Sequence, residues 1–172
     1  MERKIKAIKR ERIDDFIKLY KVFRDPPYNE DWTDEAMVAE YDDLSSTGFV
    51  CGYYIDDVCV GLITFRPFRL DDRHPVLYDE QDRVAYLSDI TVLSEYRNKG
   101  IGTTLMRYCF TVLKKENFAT VYMKTLAKGS MSYGIAIKLG FEKLDVTSVD
   151  TRNRTVEGRD VDDVKIYLEK KL

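Results

Sequence analysis

The feature that most constrains this sequence is a run with two glycines that joins a strand pattern to the strongest helix pattern. The run reads Arg97-Asn98-Lys99-Gly100-Ile101-Gly102-Thr103. Residues 84–93 before it are mostly apolar and typical of a strand. The segment after it has apolar side chains on one helical face, at Ile101, Leu105, Tyr108, Cys109, Val112 and Leu113. The sequence therefore predicts a strand, a turn and an amphipathic helix in succession.

The turn has the chemistry of an anion-binding site. A helix N-terminus carries backbone N–H groups without partners and a partial positive charge. Gly100 and Gly102 lack Cβ atoms, which lets a phosphate approach the backbone closely. Arg97 and Lys99 add positive charge, and the Thr103 hydroxyl adds a donor. Together these groups can hold a diphosphate. The alternative is a loop-to-helix cap that binds no ligand.

The glycine spacing differs from two common nucleotide-binding patterns. The dinucleotide pattern needs a third glycine three residues after Gly102, where this sequence has Leu105. The P-loop pattern needs Gly-Lys-Ser/Thr after four intervening residues, and this turn lacks it. The turn by itself therefore does not name its ligand.

The rest of the chain alternates strand and helix patterns. Strands are predicted at 5–8, 49–55, 58–65, 118–125, 142–151 and 164–168, with a hairpin turn at Asp56-Asp57. Helices are predicted from Ile13 to Tyr20, after a Thr33 cap, and from a Ser130 cap to Gly140. The order βααβββαβαββ predicts an α/β fold, with a mixed, mostly antiparallel sheet flanked by helices. We expect the 172 residues to form a single domain, 1–172.

Charge and hydropathy argue against several classes of protein. Lys and Arg total 28 against 30 Asp and Glu, so the basic excess of a nucleic-acid-binding protein is absent. The N-terminus is charged, and no stretch approaches the ~18 apolar residues of a membrane span. We expect a cytoplasmic protein with no nucleic-acid and no membrane partner.

The cysteine and histidine residues do not indicate a metal site. Cys51, Cys59 and Cys109 lie in apolar segments without the spacing of metal ligands, so we expect reduced core thiols. His74 is the only histidine and falls in the polar stretch 67–83, which is typical of a functional or mobile loop. No metal is predicted.

Two motifs carry a family resemblance. The segment from Asp89 through Gly102 closely resembles motif A of the GNAT superfamily of acyl-CoA-dependent N-acyltransferases, in which Arg/Gln-x-x-Gly-x-Gly/Ala follows a strand. Lys138-Leu139-Gly140-Phe141 resembles the "K-L-G-F" signature of the same family. The separation of the motifs and the order of elements are similar to the family over nearly the whole chain.

The resemblance implies a GNAT-like sheet with parallel, splayed central strands, here 84–93 and 118–125, that bind acetyl-CoA between them. It places the diphosphate of acetyl-CoA on the turn formed by Arg97, Asn98, Lys99, Gly100, Ile101, Gly102 and Thr103. The pantetheine arm is then expected to pair with the backbone of Ile90, Thr91 and Val92. An amide N–H at Val92 or its neighbour is expected to polarise the thioester carbonyl.

The implied reaction is direct attack of a primary amine on the thioester, which makes the chain an N-acetyltransferase. Asp89 is the candidate base or substrate anchor, because it lies on the strand beside the reacting carbon and some members of the family have an acidic residue there. The alternative is a structural, hydrogen-bonded carboxylate. Regular alternation along the strand would place Tyr86 and Ser88 on the face opposite to Asp89.

The resemblance is incomplete at the proton donor. Many members have a tyrosine four residues before the glycine of the second motif, and here Ala136 stands at that position. Tyr133, one turn earlier, is the candidate acid, unless it packs in the core and Ser130 or Ser132 acts through water. Gly129 replaces a family asparagine. The alternatives to an enzyme are a non-catalytic acyl-CoA sensor and a plain structural domain.

The acceptor is expected to be a small-molecule or peptide amine. Carboxylates in the 67–83 loop (Asp71, Asp72, Asp79, Glu80 and Asp82), with Glu30 and Asp31, favour a cationic amine, which acidic groups attract. Tyr28 and Trp32 would add cation–π contacts if they face the cleft. Four arginines flank the same loop and would either neutralise its carboxylates or bind an acidic acceptor: Arg66, Arg69, Arg73 and Arg83. A homodimer is left open.

Overall fold

The seven-stranded sheet confirms the mixed α/β fold. The computed structural model describes residues 1–25, 28, 30–69, 78–79, 82–127, 130–156 and 159–172, with side chains outside 150–163. The strands are β1 (Arg3–Ala7), β2 (Phe49–Ile55), β3 (Val58–Pro67), β4 (Val84–Val92), β5 (Thr120–Leu126), β6 (Glu142–Val156) and β7 (Arg159–Lys171). The helices are α1 (Ile13–Tyr20), α2 (Asp34–Thr47), α3 (Ile101–Lys115) and α4 (Met131–Lys138).

Strand order along the sheet is β1-β2-β3-β4-β5-β7-β6. Within the described strands the neighbours are antiparallel except β4 and β5, which run parallel. Parallel pairing begins at Val84↔Thr120 and ends at Tyr86↔Tyr122. Beyond that point the two strands separate and open a cleft in the middle of the sheet. The predicted pair of splayed parallel strands is therefore confirmed.

Helices cover both faces of the sheet. A Cβ on Gly61 of β3 would lie 3.1 Å from Ile101 Cγ2, so this side of the strand faces α3. Thr64, at the opposite parity, shares the Asp89 carboxylate with Tyr20 of α1. Because side chains alternate along a strand, α1 and α3 lie on opposite faces. The main core is continuous across both sides and includes Leu19, Leu62 and Leu105.

Local signals explain several elements. Asp56 and Asp57 both have positive φ, 46° and 69°, as a two-residue hairpin turn requires. Thr33 Oγ1 accepts a hydrogen bond from the Ala36 amide at 3.1 Å, which confirms the predicted cap of α2. Gly140 follows the C-cap of α4 with φ +82°, the left-handed conformation that favours glycine.

Several predicted boundaries are wrong. β1 is Arg3–Ala7 rather than 5–8, because the register with β2 ends at Ala7↔Cys51. β4 ends at Val92, β5 starts at Thr120 instead of 118, and β6 and β7 extend well beyond 142–151 and 164–168. The Ser130 side chain does not cap α4, because its hydroxyl is bonded to other hydroxyls.

A β-bulge lies between β3 and β4. Thr64 pairs with Asp89 and Phe65 pairs with Leu87, so Ser88 is an extra residue in β4. A bulge interrupts the alternation of side chains along a strand. The prediction that Tyr86 and Ser88 face away from Asp89 is therefore wrong, and the three residues line one cavity.

Candidate active site

Three cavities follow the opening between β4 and β5. The α3 groove, of ≈ 450 Å³, lies at the start of α3 and along α4. The central cleft, of ≈ 130 Å³, lies between the separated strands. The α2 cavity, of ≈ 590 Å³, lies on the side of α1 and α2. The central cleft and the α2 cavity share Glu30, Tyr86, Ser88, Asp89, Lys124 and Lys165.

The α3 groove contains most of the predicted phosphate-binding turn. Its walls include Val92, Arg97, Asn98, Gly100, Ile101, Gly102 and Thr103. The Thr104 amide donates to Gly100 O at 3.0 Å, so the amides of Ile101, Gly102 and Thr103 come before the helical hydrogen-bond ladder. A Cβ added to Gly100 would meet no atom within 4 Å, so the space above this residue is open.

The two cations of the turn also organise its backbone. Arg97 Nε donates to Val92 O at 3.0 Å and Lys99 Nζ donates to Glu95 O at 2.8 Å. Packing also favours glycine at position 102, since a Cβ there would lie 2.9 Å from Ile135 Cδ1. The turn therefore combines free amides with positive charge, the donor set that a diphosphate needs.

The backbone of β4 beside the cleft has one open edge. Ile90, Thr91 and Val92 pair with Ile63, Leu62 and Gly61 of β3 on one side. The register with β5 on the other side stops at Tyr86. A ligand in the cleft can therefore hydrogen-bond to the main chain at Ile90–Val92, where the resemblance places the pantetheine arm.

Asp89 lies where the central cleft meets the α2 cavity. Its Oδ2 accepts hydrogen bonds from Tyr20 Oη at 2.5 Å and from Thr64 Oγ1 at 3.2 Å. Its amide donates to Thr64 Oγ1 at 3.0 Å. These contacts hold the side chain in one orientation. The other carboxylate oxygen, Oδ1, makes no hydrogen bond with the described residues.

Burial raises the pKa of Asp89 to about 6, because the charged form loses hydration. The hydrogen bond from Tyr20 opposes this shift by stabilising the carboxylate, and the hydrogen bond from Thr64 acts in the same direction. The nearby charges of Glu40 and Glu30 raise the pKa further. A carboxylate with such a pKa can exchange a proton near neutral pH, which is what a general base requires.

Three hydroxyls form a cluster in the central cleft, close to the start of α4. Thr125 Oγ1 lies 2.5 Å from Ser130 Oγ and 2.9 Å from Ser132 Oγ. The two serine oxygens lie 2.6 Å apart. Both serines line the cleft together with Thr125. A cluster of this kind can pass a proton along its hydrogen bonds.

Tyr133 has different surroundings from its two neighbours in sequence. It packs against the main core, whereas Ser132 lines the central cleft and Gly134 lines the α3 groove. Ala136, at the position of the family tyrosine, is fully buried. Tyr133 is therefore not brought to the cavities that contain Asp89 and the turn.

The α2 cavity contains charges of both signs. Its walls include four acidic residues, Glu30, Glu40, Asp43 and Asp89, and four basic residues, Arg66, Arg69, Lys124 and Lys165. Tyr20 and Trp32 supply aromatic surface and lie edge to face, with centroids 5.2 Å apart. Trp32 Nε1 donates to Glu30 Oε2 at 2.6 Å.

Several expected rim residues lie at these cavities and others do not. Tyr28 and Glu30 line the central cleft, whereas Asp31 is exposed and lines none of the three cavities. Asp71, Asp72, His74, Arg73, Glu80 and Gly129 lie outside the described residues. Cys51, Cys59 and Cys109 are buried and unpaired, and burial raises the pKa of Cys51 to about 11, consistent with inert thiols. Among the described residues no cluster of metal ligands is found.

Sequence reasoning missed Tyr20, Thr64, Ser88, Lys124 and Lys165 at this site. No local sequence pattern identifies these five residues as part of a site. Each belongs to a strand or helix that its apolar residues already predict. Ser88 enters the site only through the bulge, and its buried Oγ has no hydrogen-bond partner in the described part of the chain.

Comparison with known proteins defines the class of this protein. The sequence profile of the acetyltransferase (GNAT) family matches residues 14–141, a stretch that contains the turn, Asp89 and α4. The chain therefore belongs to the GNAT family of acetyltransferases.

Individual relatives and solved structures share little sequence with this chain. Streptothricin acetyltransferase A of Bacillus subtilis (strain 168) is 26% identical over 100 residues, covering 58% of this chain and 50% of that protein. The match thus spans about half the length of this curated relative. An N-acetyltransferase of Staphylococcus aureus Mu50 has a similar structure, with TM-score 0.79, 16% identity and 99% of both chains covered. The PaiA N-acetyltransferase of Thermoplasma acidophilum, solved with coenzyme A, has TM-score 0.70, 19% identity and all of both chains covered.

No helix in the described residues is long and apolar enough to cross a membrane. The cytoplasmic location, the absence of a nucleic-acid partner, the single domain and the possible homodimer remain predictions.

Proposed function

We propose that this protein is an acetyl-CoA-dependent N-acetyltransferase that acetylates a primary amine by direct attack. The observation that carries the proposal is the position of Asp89. Its carboxyl lies at the junction of the central cleft and the α2 cavity, held by Tyr20 and Thr64, with its pKa raised to about 6. A base at this junction can serve an amine that enters from one cavity and an acyl donor that enters from the other.

The α3 groove fits the donor. The amides of Ile101, Gly102 and Thr103 and the charges of Arg97 and Lys99 suit the diphosphate of coenzyme A. The open edge at Ile90–Val92 suits an amide-containing arm, and acetyl-CoA supplies the activated acetyl group as a thioester. The Val92 amide is our candidate to polarise the thioester carbonyl.

The amine side of the reaction is assigned to Asp89. An alkylammonium must lose a proton before its nitrogen can attack, and the ionised Asp89 carboxylate accepts it. The nitrogen then bonds to the acetyl carbon as the carbon–sulfur bond breaks. The second proton of the nitrogen leaves as the amide forms and is the one that the thiolate takes up. The overall products are the acetylated amine, coenzyme A and one proton.

We assign proton delivery to the thiolate to the hydroxyl cluster of Thr125, Ser130 and Ser132. These hydroxyls line the central cleft within hydrogen-bond distance of one another. Tyr133, the other candidate acid, packs against the core. A thiolate is a moderately stable leaving group, so a hydroxyl relay in place of a tyrosine is compatible with turnover.

The proposal is tested by following coenzyme A release from acetyl-CoA with a panel of primary amines. Asp89→Asn should lower kcat about 10²–10⁴-fold with at least one amine, the scale of general base catalysis, while acetyl-CoA still stabilises the protein against heat. Asp42→Asn is the matched control, because Asp42 pairs with Arg10 at the surface and lines none of the cavities. Equal rates for Asp89→Asn and the native protein would reject Asp89 as the base.

A second candidate function is a non-catalytic acyl-CoA sensor. Buried Ala136 at the tyrosine position and the packing of Tyr133 against the core favour it. The two functions differ in one measurement. A sensor would be stabilised by acetyl-CoA and release no coenzyme A with any amine above the rate of hydrolysis.

A further inference from the structure

The charges of the α2 cavity are not paired evenly. Asp43 Oδ2 accepts from Arg66 Nη1 at 2.8 Å, and Asp43 Oδ1 lies 3.6 Å from Arg69 Nη1. One carboxylate thus neutralises part of two arginines. The side-chain ammonium of Lys165, in contrast, has no hydrogen bond and no ion pair with any described residue, although its backbone is paired in β7. A half-buried ammonium without a partner, in the wall of a cavity, is a site for an anion.

The register of the sheet places the negative and the positive side chains on different walls of the opening between β4 and β5. Asp89 belongs to β4, on one side of the opening. Lys165 belongs to β7, where it pairs with Leu126 at the end of β5, and Lys124 belongs to β5 itself. All three residues line both the central cleft and the α2 cavity. The carboxylate therefore faces a wall that carries two ammonium groups across the same space.

Ser88 gives independent evidence that a polar ligand belongs here. Its Oγ is buried, has no partner among the described residues, and comes from a residue that lines both cavities. A buried hydroxyl without a hydrogen bond costs free energy that a bound polar group recovers. The bulge brings Ser88 to the same cavities as Asp89, and a rotation about its χ1 would expose this hydroxyl to the N–H of an acceptor amine.

We propose that the acceptor is zwitterionic: its amine binds at Asp89 and Ser88, and a carboxylate on the same molecule binds Lys165, with Lys124 nearby. This inference rests on the proposed acetyltransferase function and names its class of substrate. A second cationic group on the acceptor would face the ammonium groups of the β5–β7 wall and be repelled. A neutral acceptor would leave the Lys165 charge uncompensated.

The test compares acceptors that differ only at the anionic end. We would measure kcat/KM for coenzyme A release with α-, β-, γ- and ω-amino acids, their primary amides, and the diamines of the same length. The series varies the separation of amine and carboxylate, since the acceptor must span the distance between the two walls. At least one amino acid should exceed its own amide and the matching diamine about 10-fold or more.

Variants of Lys165 locate the effect. Lys165→Met should lower kcat/KM for the preferred amino acid about 10-fold and that for its amide less than two-fold, and Lys165→Arg should retain most of the preference. Lys143→Met is the matched control, because Lys143 is exposed on β6 and lines none of the three cavities. If Lys165→Met fails to fold by circular dichroism, Lys165→Gln replaces it.

The outcomes separate the two proposals. Amides or diamines that react as well as the amino acids would overturn the zwitterionic acceptor and leave the acetyltransferase intact. An amino-acid preference unchanged in Lys165→Met would overturn the role of Lys165. No coenzyme A release from any amine would overturn the proposed function itself, and with it the inference.

Discussion

The Tyr20 hydroxyl donates a hydrogen bond to Asp89 Oδ2 at 2.5 Å, joining the end of α1 to β4 across 69 positions of sequence. Tyr20 is fully buried, and burial together with the Asp89 charge raises the pKa of its own phenol well above the usual value. The phenol therefore stays protonated and acts as a fixed donor. It sets both the orientation and the acidity of the candidate base.

The pH dependence of the reaction follows from this contact. A base must be ionised, so kcat/KM should rise with pH and level off above about 6, the raised pKa of Asp89. Tyr20→Phe removes a hydrogen bond that lowers this pKa, so the inflection should move to higher pH and activity at pH 6 should fall. Initial rates between pH 5 and pH 9 would measure it. In Tyr41→Phe, which loses a buried hydroxyl bonded to Ile8 O at 2.9 Å, the inflection should stay in place.

The same carboxyl should weaken the fold at neutral pH. Its pKa is higher in the folded protein than the ordinary 3.8, so the folded state binds the proton more tightly. Its contribution to the free energy of unfolding is therefore largest at low pH and declines as pH rises from about 4 to about 6. Asp89→Asn should raise the stability by about 1–3 kcal/mol at pH 7.5 and by less at pH 4.5.

Thermal or urea unfolding at the two pH values would measure this difference. Asp34→Asn should change the stability in the opposite direction, because hydrogen bonds from Arg24 and Lys21 lower the pKa of that exposed carboxyl. It should lose stability at neutral pH and change little in acid. A loss of stability for Asp89→Asn at pH 7.5 would contradict the raised pKa.

A charge added to the turn should separate folding from donor binding. Thr103→Glu places a carboxylate in the first turn of α3, where the helix dipole stabilises it, yet in the wall of the α3 groove where a diphosphate would be repelled. We expect unchanged or slightly higher Tm and at least a 10-fold weaker Kd for coenzyme A by calorimetry. Thr104→Glu adds the same charge one residue later, on an exposed position outside the groove, and should keep most of the affinity.

The proton donor can be located by removing single hydroxyls. Ser132→Ala breaks the contacts to Thr125 and Ser130, and should lower kcat about 10-fold or more with little change in the KM of acetyl-CoA. Tyr133→Phe should change kcat less than two-fold, because the ring packs against the core. A large loss in Tyr133→Phe with the fold intact would return the acid role to that tyrosine.

Periodicity and turn chemistry predict the elements well where one strong signal dominates. The strand, the turn and α3 follow from apolar spacing around Gly100, and the hairpin follows from Asp56-Asp57. The ends of strands are less predictable, because they depend on how far a partner strand extends. β6 and β7 support each other well past the apolar residues that mark them in sequence.

The residues of the site also divide into those that a local motif predicts and those that only the folded chain brings together. Asp89 and the turn come from one contiguous motif, so a single resemblance contains both. Ser88 comes from a register shift between two strands, and Tyr20 from helix packing 69 positions away, and neither leaves a mark in the local sequence. The hydroxyl cluster is intermediate: Ser130 and Ser132 are recognisable beside Ala136, whereas Thr125 joins them only through the end of β5.

The early end of pairing between β4 and β5 creates two free strand edges inside one sheet. Free edges at the rim of a sheet invite other chains to add as strands. Here the two edges lie inside the sheet, on the central cleft, which Tyr28 lines together with Ser130 and Ser132 at the start of α4. Recognition through main-chain atoms places few demands on side-chain identity. Sequences can then diverge far while the fold is kept, and the staphylococcal protein has this fold at 16% identity and TM-score 0.79.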